Sequence, residues 1–243
     1  MSSGASAYNY DHYNFSLEPP EYERWLRDAP AIGRGAPDFL LPDLEGNLHS
    51  LREHGGRPVV IEFGSYTCPI FGAQITAMEE LKRRHPDVTF LVIYTREAHP
   101  GERTPAHRSG EEKVEAARKL VGEESLDRTV LIDELDGRVH QMYGGAWDSV
   151  FVINGDGKVV LRRAWNDPQQ VEDSLLALRS GESPEPIDSI EMVRVPSRGG
   201  FGHGLLRGGT TAVLDFYNSA PPPIKEMFRK SESREVRDLV VNP

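Results

Sequence analysis

One stretch of the chain, Val59 to Leu81, constrains the fold more than any other. It opens with a short apolar run, Val59 to Phe63, whose length and composition predict a buried strand. Gly64 to Tyr66 interrupts this run, and apolar residues then recur at helical spacing, namely Phe71, Ile75, Met78 and Leu81. The stretch therefore predicts a strand that passes through a tight turn directly into an amphipathic helix.

Cys68, the only cysteine among the 243 residues, lies where the strand gives way to the helix. Thr67 is predicted to cap the helix, and Pro69 suits its first turn, where a backbone N–H has no partner within the helix. Free N–H groups and the helix dipole favour a thiolate there, so we expect a lowered pKa for Cys68. A lone cysteine is more often a small buried hydrophobic residue. The strand–turn–Cys–Pro–helix context instead favours a reactive nucleophile.

The charge balance excludes one class of partner. The chain carries 28 basic and 38 acidic residues, a formal net charge of −10, and its longest basic run is Lys82 to Arg84. Because binding to phosphate needs a basic surface, we expect no nucleic-acid partner. No cluster with metal-ligand spacing and no glycine-rich phosphate loop is visible, so we expect neither a metal nor a cofactor.

Apolar patterning and cysteine content predict where the protein resides. The first 15 residues lack the apolar segment of a signal peptide, and no apolar run approaches the roughly 18 residues of a membrane span. We therefore expect no membrane association. A single cysteine cannot form an intramolecular disulfide, which fits a reducing, cytoplasmic location.

The order of the predicted elements indicates the fold class. Val88 to Tyr94 is a second buried strand, so the central stretch and this strand form a βαβ unit with parallel strands. A hairpin is predicted before this unit, and a strand, a second hairpin around Gly155 to Gly157 and a closing helix after it. This order is typical of an α/β, thioredoxin-like fold, with a central mixed sheet flanked by helices and an N-terminal hairpin.

Composition suggests three parts. Residues 1–35 form an N-terminal arm and short helix, residues 36–181 the thioredoxin-like domain, and residues 182–243 a C-terminal extension. The extension holds six glycines between Ser197 and Gly209 and a predicted helix from Ile224 to about Val236. We expect that it could mediate a homo-oligomer.

A long polar loop, Thr95 to Gly110, carries the second group of candidate residues. Glu97 and His99 lie just beyond the carboxyl end of a strand, the edge at which open α/β sheets bind ligands. Parallel strands end at the same edge, so we expect both to share one site with Cys68, although solvated loop residues are the alternative. With an ordinary pKa of ~6.5, a histidine such as His99 suits proton transfer at neutral pH.

Two motifs resemble those of the iodothyronine deiodinases, thioredoxin-fold enzymes that remove iodine with a selenocysteine. They are Phe63 to Phe71 (FGSYTCPIF) and Phe90 to Pro100 (FLVIYTREAHP). Over roughly residues 36–181 the chain is similar to a bacterial-type member with cysteine at the selenocysteine position. The resemblance implies that Cys68 is the nucleophile, with Glu97 and His99 in proton transfer and substrate positioning. Candidates for substrate binding beside them are Ser65, Thr67, His107 and Trp147.

The sequence also departs from related patterns. A CxxC enzyme would need cysteine at Phe71, and a peroxiredoxin motif would need proline at Ile61 and threonine at Ser65. Ile70 replaces a proline of the deiodinase motif, and the loop after Pro100 is shorter. Because the second cysteine of a CxxC motif is missing, dithiol–disulfide exchange of that type is excluded.

These observations favour a thiol-dependent oxidoreductase. The Cys68 thiolate would attack a small electrophile, by reductive dehalogenation or peroxide reduction, and an external thiol such as thioredoxin or glutathione would regenerate it. Two alternatives stay open at this point. One is a non-catalytic thioredoxin-fold scaffold, and the other is a one-cysteine peroxiredoxin-like peroxidase.

Overall fold

The computed structural model describes residues 8–14, 19–146, 148–184, 187–189, 198–231 and 233–241. The strands are β1 Leu40–Pro42, β2 Leu48–Ser50, β3 Val59–Gly64, β4 Thr89–Tyr94, β5 Thr129–Ile132, β6 Val150–Ile153, β7 Val159–Arg163 and β8 Ile187–Ser189. The helices are α1 Pro19–Asp28, α2 Pro69–Arg84, α3 Gly110–Glu124, α4 Arg138–Met142, α5 Pro168–Arg179, α6 Arg198–Gly208, α7 Thr210–Ser219, α8 Pro222–Arg229 and α9 Arg234–Val241, with a 3-10 turn at Leu51–His54.

A mixed six-stranded sheet forms the centre of the molecule, in the order β5-β4-β3-β6-β7-β8. Strands β3, β4 and β5 are parallel, whereas β6 runs antiparallel to both β3 and β7. Every residue of β3 is buried, as expected for a central strand covered on both faces. With the antiparallel hairpin β1–β2 before it, this sheet confirms the predicted α/β architecture.

The register of β3 and β4 positions the two candidate loops. Gly64 pairs with Tyr94 at the carboxyl ends of the two strands. Adjacent strands lie about 5 Å apart, so the loop that leads to Cys68 and the loop that carries Glu97 start side by side.

The start of α2 differs from the prediction. Cys68 is the N-cap residue, with no side-chain cap, and the helix begins at Pro69. Thr67 was expected to cap the helix, but its hydroxyl donates a hydrogen bond to Glu97. The same hydroxyl oxygen accepts the His99 N–H at 3.0 Å, so it is engaged with the neighbouring loop and not with the free N–H groups of the helix.

Arg162 and Arg163 look from the sequence like a solvated strand face, and the structure shows that this interpretation is wrong. Both are buried: Arg162 donates to the Leu26 carbonyl of α1, whereas Arg163 donates to the Trp165 carbonyl and to Gln170 of α5. The Arg162 guanidinium donates to the Ala29 carbonyl at 2.8 Å and lies 5.1 Å from the ring centre of the buried Trp25.

The C-terminal extension folds into helices with a small apolar cluster of their own. Its buried members are Leu205, Val213, Phe216, Ala220, Phe228, Val236 and Val240. The single helix expected from Ile224 to Val236 is instead two, α8 and α9, because Ser233 interrupts the run and accepts the Val236 N–H at 3.4 Å.

Among the helices of the described residues, none has the length and apolar character that a membrane span requires.

Strand β3 also carries a buried charge that must be compensated. Glu62 on β3 forms an ion pair with Arg128, whose Nε donates to Glu79 at 2.8 Å. Because the Glu62 and Arg128 side chains are 0% and 1% exposed, neither charge has access to water. Removing one partner therefore leaves the other uncompensated.

We predict that Arg128→Met lowers the free energy of unfolding by about 3–5 kcal/mol, the usual cost of an uncompensated buried charge. Urea denaturation followed by circular dichroism measures this. As a control, Arg179→Met removes an exposed partner of Asp87, so its effect stays below about 1 kcal/mol. Equal effects of the two substitutions would contradict the conclusion that Arg128 compensates a buried charge.

Candidate active site

Cys68 lies at the carboxyl edge of the sheet and is 4% exposed. Its N–H donates to the Ser65 carbonyl at 3.1 Å, and its carbonyl accepts the Gly72 N–H at 3.0 Å, so the turn holds its backbone firmly. The sulfur faces the backbone N–H groups of Phe71 and Ile70, the free donors of the helix start.

The expected low pKa of Cys68 is not what the structure supports. Burial raises the pKa of the thiol well above its ordinary value, and Asp148 raises it further when its carboxyl is ionised. The two backbone N–H groups act in the opposite direction, but they do not offset the loss of water around the sulfur. In this closed arrangement Cys68 is a protonated thiol at neutral pH.

A buried carboxylate, Glu97, organises the loops around Cys68. One oxygen accepts the Thr67 hydroxyl at 2.6 Å and the Thr67 N–H at 2.9 Å, and the other accepts the Tyr94 hydroxyl. Burial acts to raise the pKa of Glu97, but contacts from His107, Thr67 and Tyr94 outweigh it and lower the pKa overall. Glu97 is therefore ionised at neutral pH, although it is 2% exposed.

His107, from the far end of the same loop, supplies the compensating group. Its Nε2 lies 3.0 Å from Glu97 Oε1, outside good hydrogen-bond alignment but close enough for a strong electrostatic contact. Both side chains are almost completely buried. His107 was predicted to bind substrate, and here it faces the carboxylate.

His99 lies beside this network. Its backbone N–H donates to the Thr67 hydroxyl at 3.0 Å, which joins His99 to Glu97 through one side chain. Burial lowers the pKa of His99 to about 3, so the ring is neutral, and its Nδ1 is buried without a hydrogen-bond partner. A neutral imidazole with a free nitrogen can accept or donate a proton once a partner arrives.

Ser65 contributes to the geometry of the loop. Its hydroxyl accepts the Ala98 N–H at 3.1 Å, which ties the turn before Cys68 to the segment between Glu97 and His99. Trp147, the remaining predicted substrate-binding residue, lies outside the described residues.

Sequence reasoning missed two residues. The first is Tyr94, whose hydroxyl accepts the Tyr66 N–H at 3.1 Å and donates to Glu97. The sequence could have indicated it, because a residue with a polar hydroxyl ends a buried strand three positions before Glu97. The second is Asp148, which is completely buried and has both carboxyl oxygens without a hydrogen-bond partner. Burial and the nearby Glu62 raise its pKa.

Asp148 reaches this edge through the sheet register. Phe63 donates its N–H to the Ser149 carbonyl at 2.9 Å. Because β3 and β6 are antiparallel, Asp148, the residue before Ser149, lies level with the turn that leads to Cys68. Within the described residues, no group of three or more His, Cys, Asp or Glu could hold a metal ion. The chemistry that these side chains support is acid–base and nucleophilic.

The environment of Cys68 predicts its pH dependence. Alkylation by iodoacetamide follows the thiolate, so its rate rises with pH through the pKa of the thiol, and we expect a midpoint above the ~8.5 of free cysteine. Asp148→Asn removes a carboxyl that, once ionised at the alkaline pH where the thiol titrates, opposes thiolate formation, so the midpoint falls in this variant. As a control, Asp127→Asn removes a carboxylate that is 82% exposed and leaves the midpoint unchanged. A wild-type midpoint below that of free cysteine would contradict the buried geometry.

Sequence comparisons give the family. A family model for iodothyronine deiodinase matches residues 47–168, which is half of the chain. Thyroxine 5-deiodinase of Sus scrofa is 35% identical over 127 residues, 48% of this chain and 41% of that protein. Type I iodothyronine deiodinase of Xenopus laevis is 28% identical over 151 residues, 57% of this chain and 59% of that protein. The matches thus span about half the length of these curated relatives.

Structure comparisons give the fold. A hypothetical protein from Sinorhizobium meliloti aligns with a TM-score of 0.54 at 18% identity, over 66% of this chain and 92% of that one. The thioredoxin domain of a thiol-disulfide oxidoreductase from Bacteroides vulgatus aligns with a TM-score of 0.50 at 17% identity, over 62% of this chain and 99% of that one. The predicted thioredoxin-like fold is therefore confirmed, and the chain belongs to the iodothyronine deiodinase family, with a cysteine between the strand and the helix of its first motif.

Proposed function

We propose that the protein is a thiol-dependent oxidoreductase in which Cys68 attacks a small electrophile. One observation carries this proposal: Thr67, next to the cysteine, is hydrogen-bonded to the buried Glu97 carboxylate and to the backbone of His99. Buried charge is costly to maintain. A network of this kind at the carboxyl edge of a sheet is better explained by proton handling than by stability alone.

Burial sets the resting protonation states of the thiol and the imidazole. It raises the pKa of Cys68 and lowers that of His99, so both groups are neutral while the site is closed. Water or a polar substrate in the site weakens both effects, because each charged form gains solvation. Transfer of the proton from the thiol to Nδ1 of His99 then becomes easier, while Glu97 holds its negative charge beside the new cation.

Two electrophiles fit this chemistry. With a peroxide, the sulfur takes one oxygen to become a sulfenic acid, and the other oxygen leaves as an alcohol or water after receiving the thiol proton. With an organic halide, the sulfur bonds to the halogen, and the carbon receives the proton. In either case two external thiols restore the Cys68 thiol, forming one disulfide and releasing water or a hydrogen halide.

An external reductant is an essential part of this proposal. Cys68 is the only cysteine of the chain, so no second thiol within it can resolve the oxidised sulfur. Thioredoxin, glutathione or a similar thiol supplies the two electrons. The relatives are deiodinases by name, and reductive dehalogenation is the reaction that membership of their family favours.

One observation favours a second candidate function, a scaffold without chemistry. Cys68 is buried and its pKa is raised, as is common for inert structural cysteines. A scaffold has no use for the buried Glu97 and for the free nitrogen of His99, and for that reason we rank it second.

Steady-state assays separate the two functions. Purified protein is supplied with a thiol reductant and, in turn, with hydrogen peroxide, a low-molecular-weight disulfide and an iodoarene, and consumption of the reductant is followed. We expect turnover with at least one electrophile and none in Cys68→Ser, which retains the shape of the side chain. Turnover that persists in Cys68→Ser would refute the proposal, and absence of turnover with all three would favour the scaffold.

Glu97 offers a second prediction. Glu97→Gln retains the shape but removes the charge, so turnover falls by about 10²–10⁴-fold, the range for loss of acid–base assistance. Because Glu97 is buried against His107, the melting temperature falls as well. As a control, Glu111→Gln changes an exposed carboxylate in the first turn of α3 and leaves both quantities near wild type. Unchanged turnover in Glu97→Gln would remove Glu97 from the mechanism.

A further inference from the structure

Helix α6 of the C-terminal extension lies directly against the start of α2, beside the cysteine. A Cβ added at Gly204 would lie 2.5 Å from the Cα of Pro69, the residue after Cys68. One turn further along the same face of α6, a Cβ at Gly208 would lie 2.3 Å from the His99 carbonyl oxygen. Glycines at these positions therefore let α6 approach both parts of the site at backbone contact.

A buried arginine anchors the same helix to the turn before Cys68. Arg207 is 7% exposed, and its guanidinium lies 4.6 Å from the ring centre of Tyr66 and donates to the Tyr66 carbonyl at 3.3 Å. It also forms an ion pair with Glu124 at the end of α3. An arginine held by a ring, a carbonyl and a carboxylate fixes α6 in one position.

The long polar loop holds the extension from the other side. Glu102 accepts the N–H groups of Thr210 and Thr211, at 2.5 and 2.9 Å, and so caps the start of α7. The Thr104 hydroxyl donates to the Arg207 carbonyl at 2.8 Å. Glu97, His99 and His107 come from this same loop, so the catalytic residues and the contacts to the extension share one segment.

Two aromatic rings from outside the thioredoxin-like domain cover His99. Phe216 of α7 packs edge-on against the imidazole, with ring centres 5.3 Å apart. Tyr13 of the N-terminal arm lies 4.2 Å from the imidazole and stacks on Phe216 at 5.6 Å. The imidazole with the free Nδ1 is therefore enclosed by side chains that the domain itself does not supply.

From these contacts we propose that the C-terminal extension is a wall of the catalytic site, and that Phe216 limits the size of the molecules that reach Cys68. This deepens the proposed function, on which it rests. Cys68 and His99 are 4% and 5% exposed. A small electrophile needs a modest displacement of Phe216, whereas a bulky one needs α7 to move away from the polar loop. Openings of the second kind cost more free energy and are rarer.

The test compares two alkylating reagents on the full chain. Iodoacetamide is the small probe and N-pyrenylmaleimide the bulky one, and the ratio of their rates at Cys68 is measured by intact-mass spectrometry. In Phe216→Ala the rate with the bulky reagent rises about tenfold relative to the small one, because lost packing favours opening. The midpoint pH of alkylation also falls, since water reaches the sulfur.

A matched control distinguishes a specific effect of Phe216 from a general destabilisation of the C-terminal extension. Tyr217→Ala removes the neighbouring ring, which packs on Phe228 in the same extension, so the ratio stays close to wild type. An unchanged ratio in Phe216→Ala, or an equal rise in both variants, would overturn the proposal.

If Phe216→Ala does not fold, Gly204→Ala takes its place. The added Cβ forces α6 away from Pro69, so the rate with the bulky reagent rises in this variant too, and an unchanged ratio overturns the proposal. Alkylation needs no turnover, so these results are independent of the proposed function. Failure of that function shows instead as absence of turnover with every electrophile.

Discussion

The removal of water from the carboxyl edge of the sheet is the constraint on which this structure depends. A carboxylate placed in such an environment must receive hydrogen bonds or a compensating charge, or it becomes protonated. Glu97 receives the hydroxyls of Thr67 and Tyr94 and lies against His107. Those partners come from both loops at this edge, so the carboxylate that needs them also holds the loops together.

The same lack of water keeps the sulfur of Cys68 protonated, whereas Glu97 stays ionised. Cys68 lies at a helix start, where backbone N–H groups stabilise a thiolate, yet its pKa is raised. Dipoles of a helix start contribute a modest stabilisation, whereas full desolvation shifts a pKa by several units. Reactivity of Cys68 is therefore coupled to access: anything that brings water or substrate to the sulfur also makes it more acidic.

Much of the fold follows from local patterns. The apolar run at Val59, the helical spacing after Phe71 and the glycines around Asp156 predict β3, α2 and the β6–β7 hairpin close to where the structure has them. These predictions succeed because burial of an apolar face is set by residues near one another in sequence. The wrong ones concern Arg162, the cap at Thr67 and the helix after Ile224. Arg162 and Thr67 depend on partners far away in the chain, and the helix after Ile224 on a local cap at Ser233.

The sequence by itself determined the fold class, the position of Cys68 between a strand and a helix, and its nearness to the loop that carries Glu97 and His99. All three follow from strand order and from the rule that parallel strands end at one edge. Tertiary structure alone decided that the cysteine is a buried thiol, that Tyr94 and Asp148 belong to its surroundings, and that α6 packs against the next residue, Pro69, and α7 against His99. The physical reason is that solvation is a property of the assembled surface: no residue's own neighbours in sequence report whether a distant helix excludes water from it.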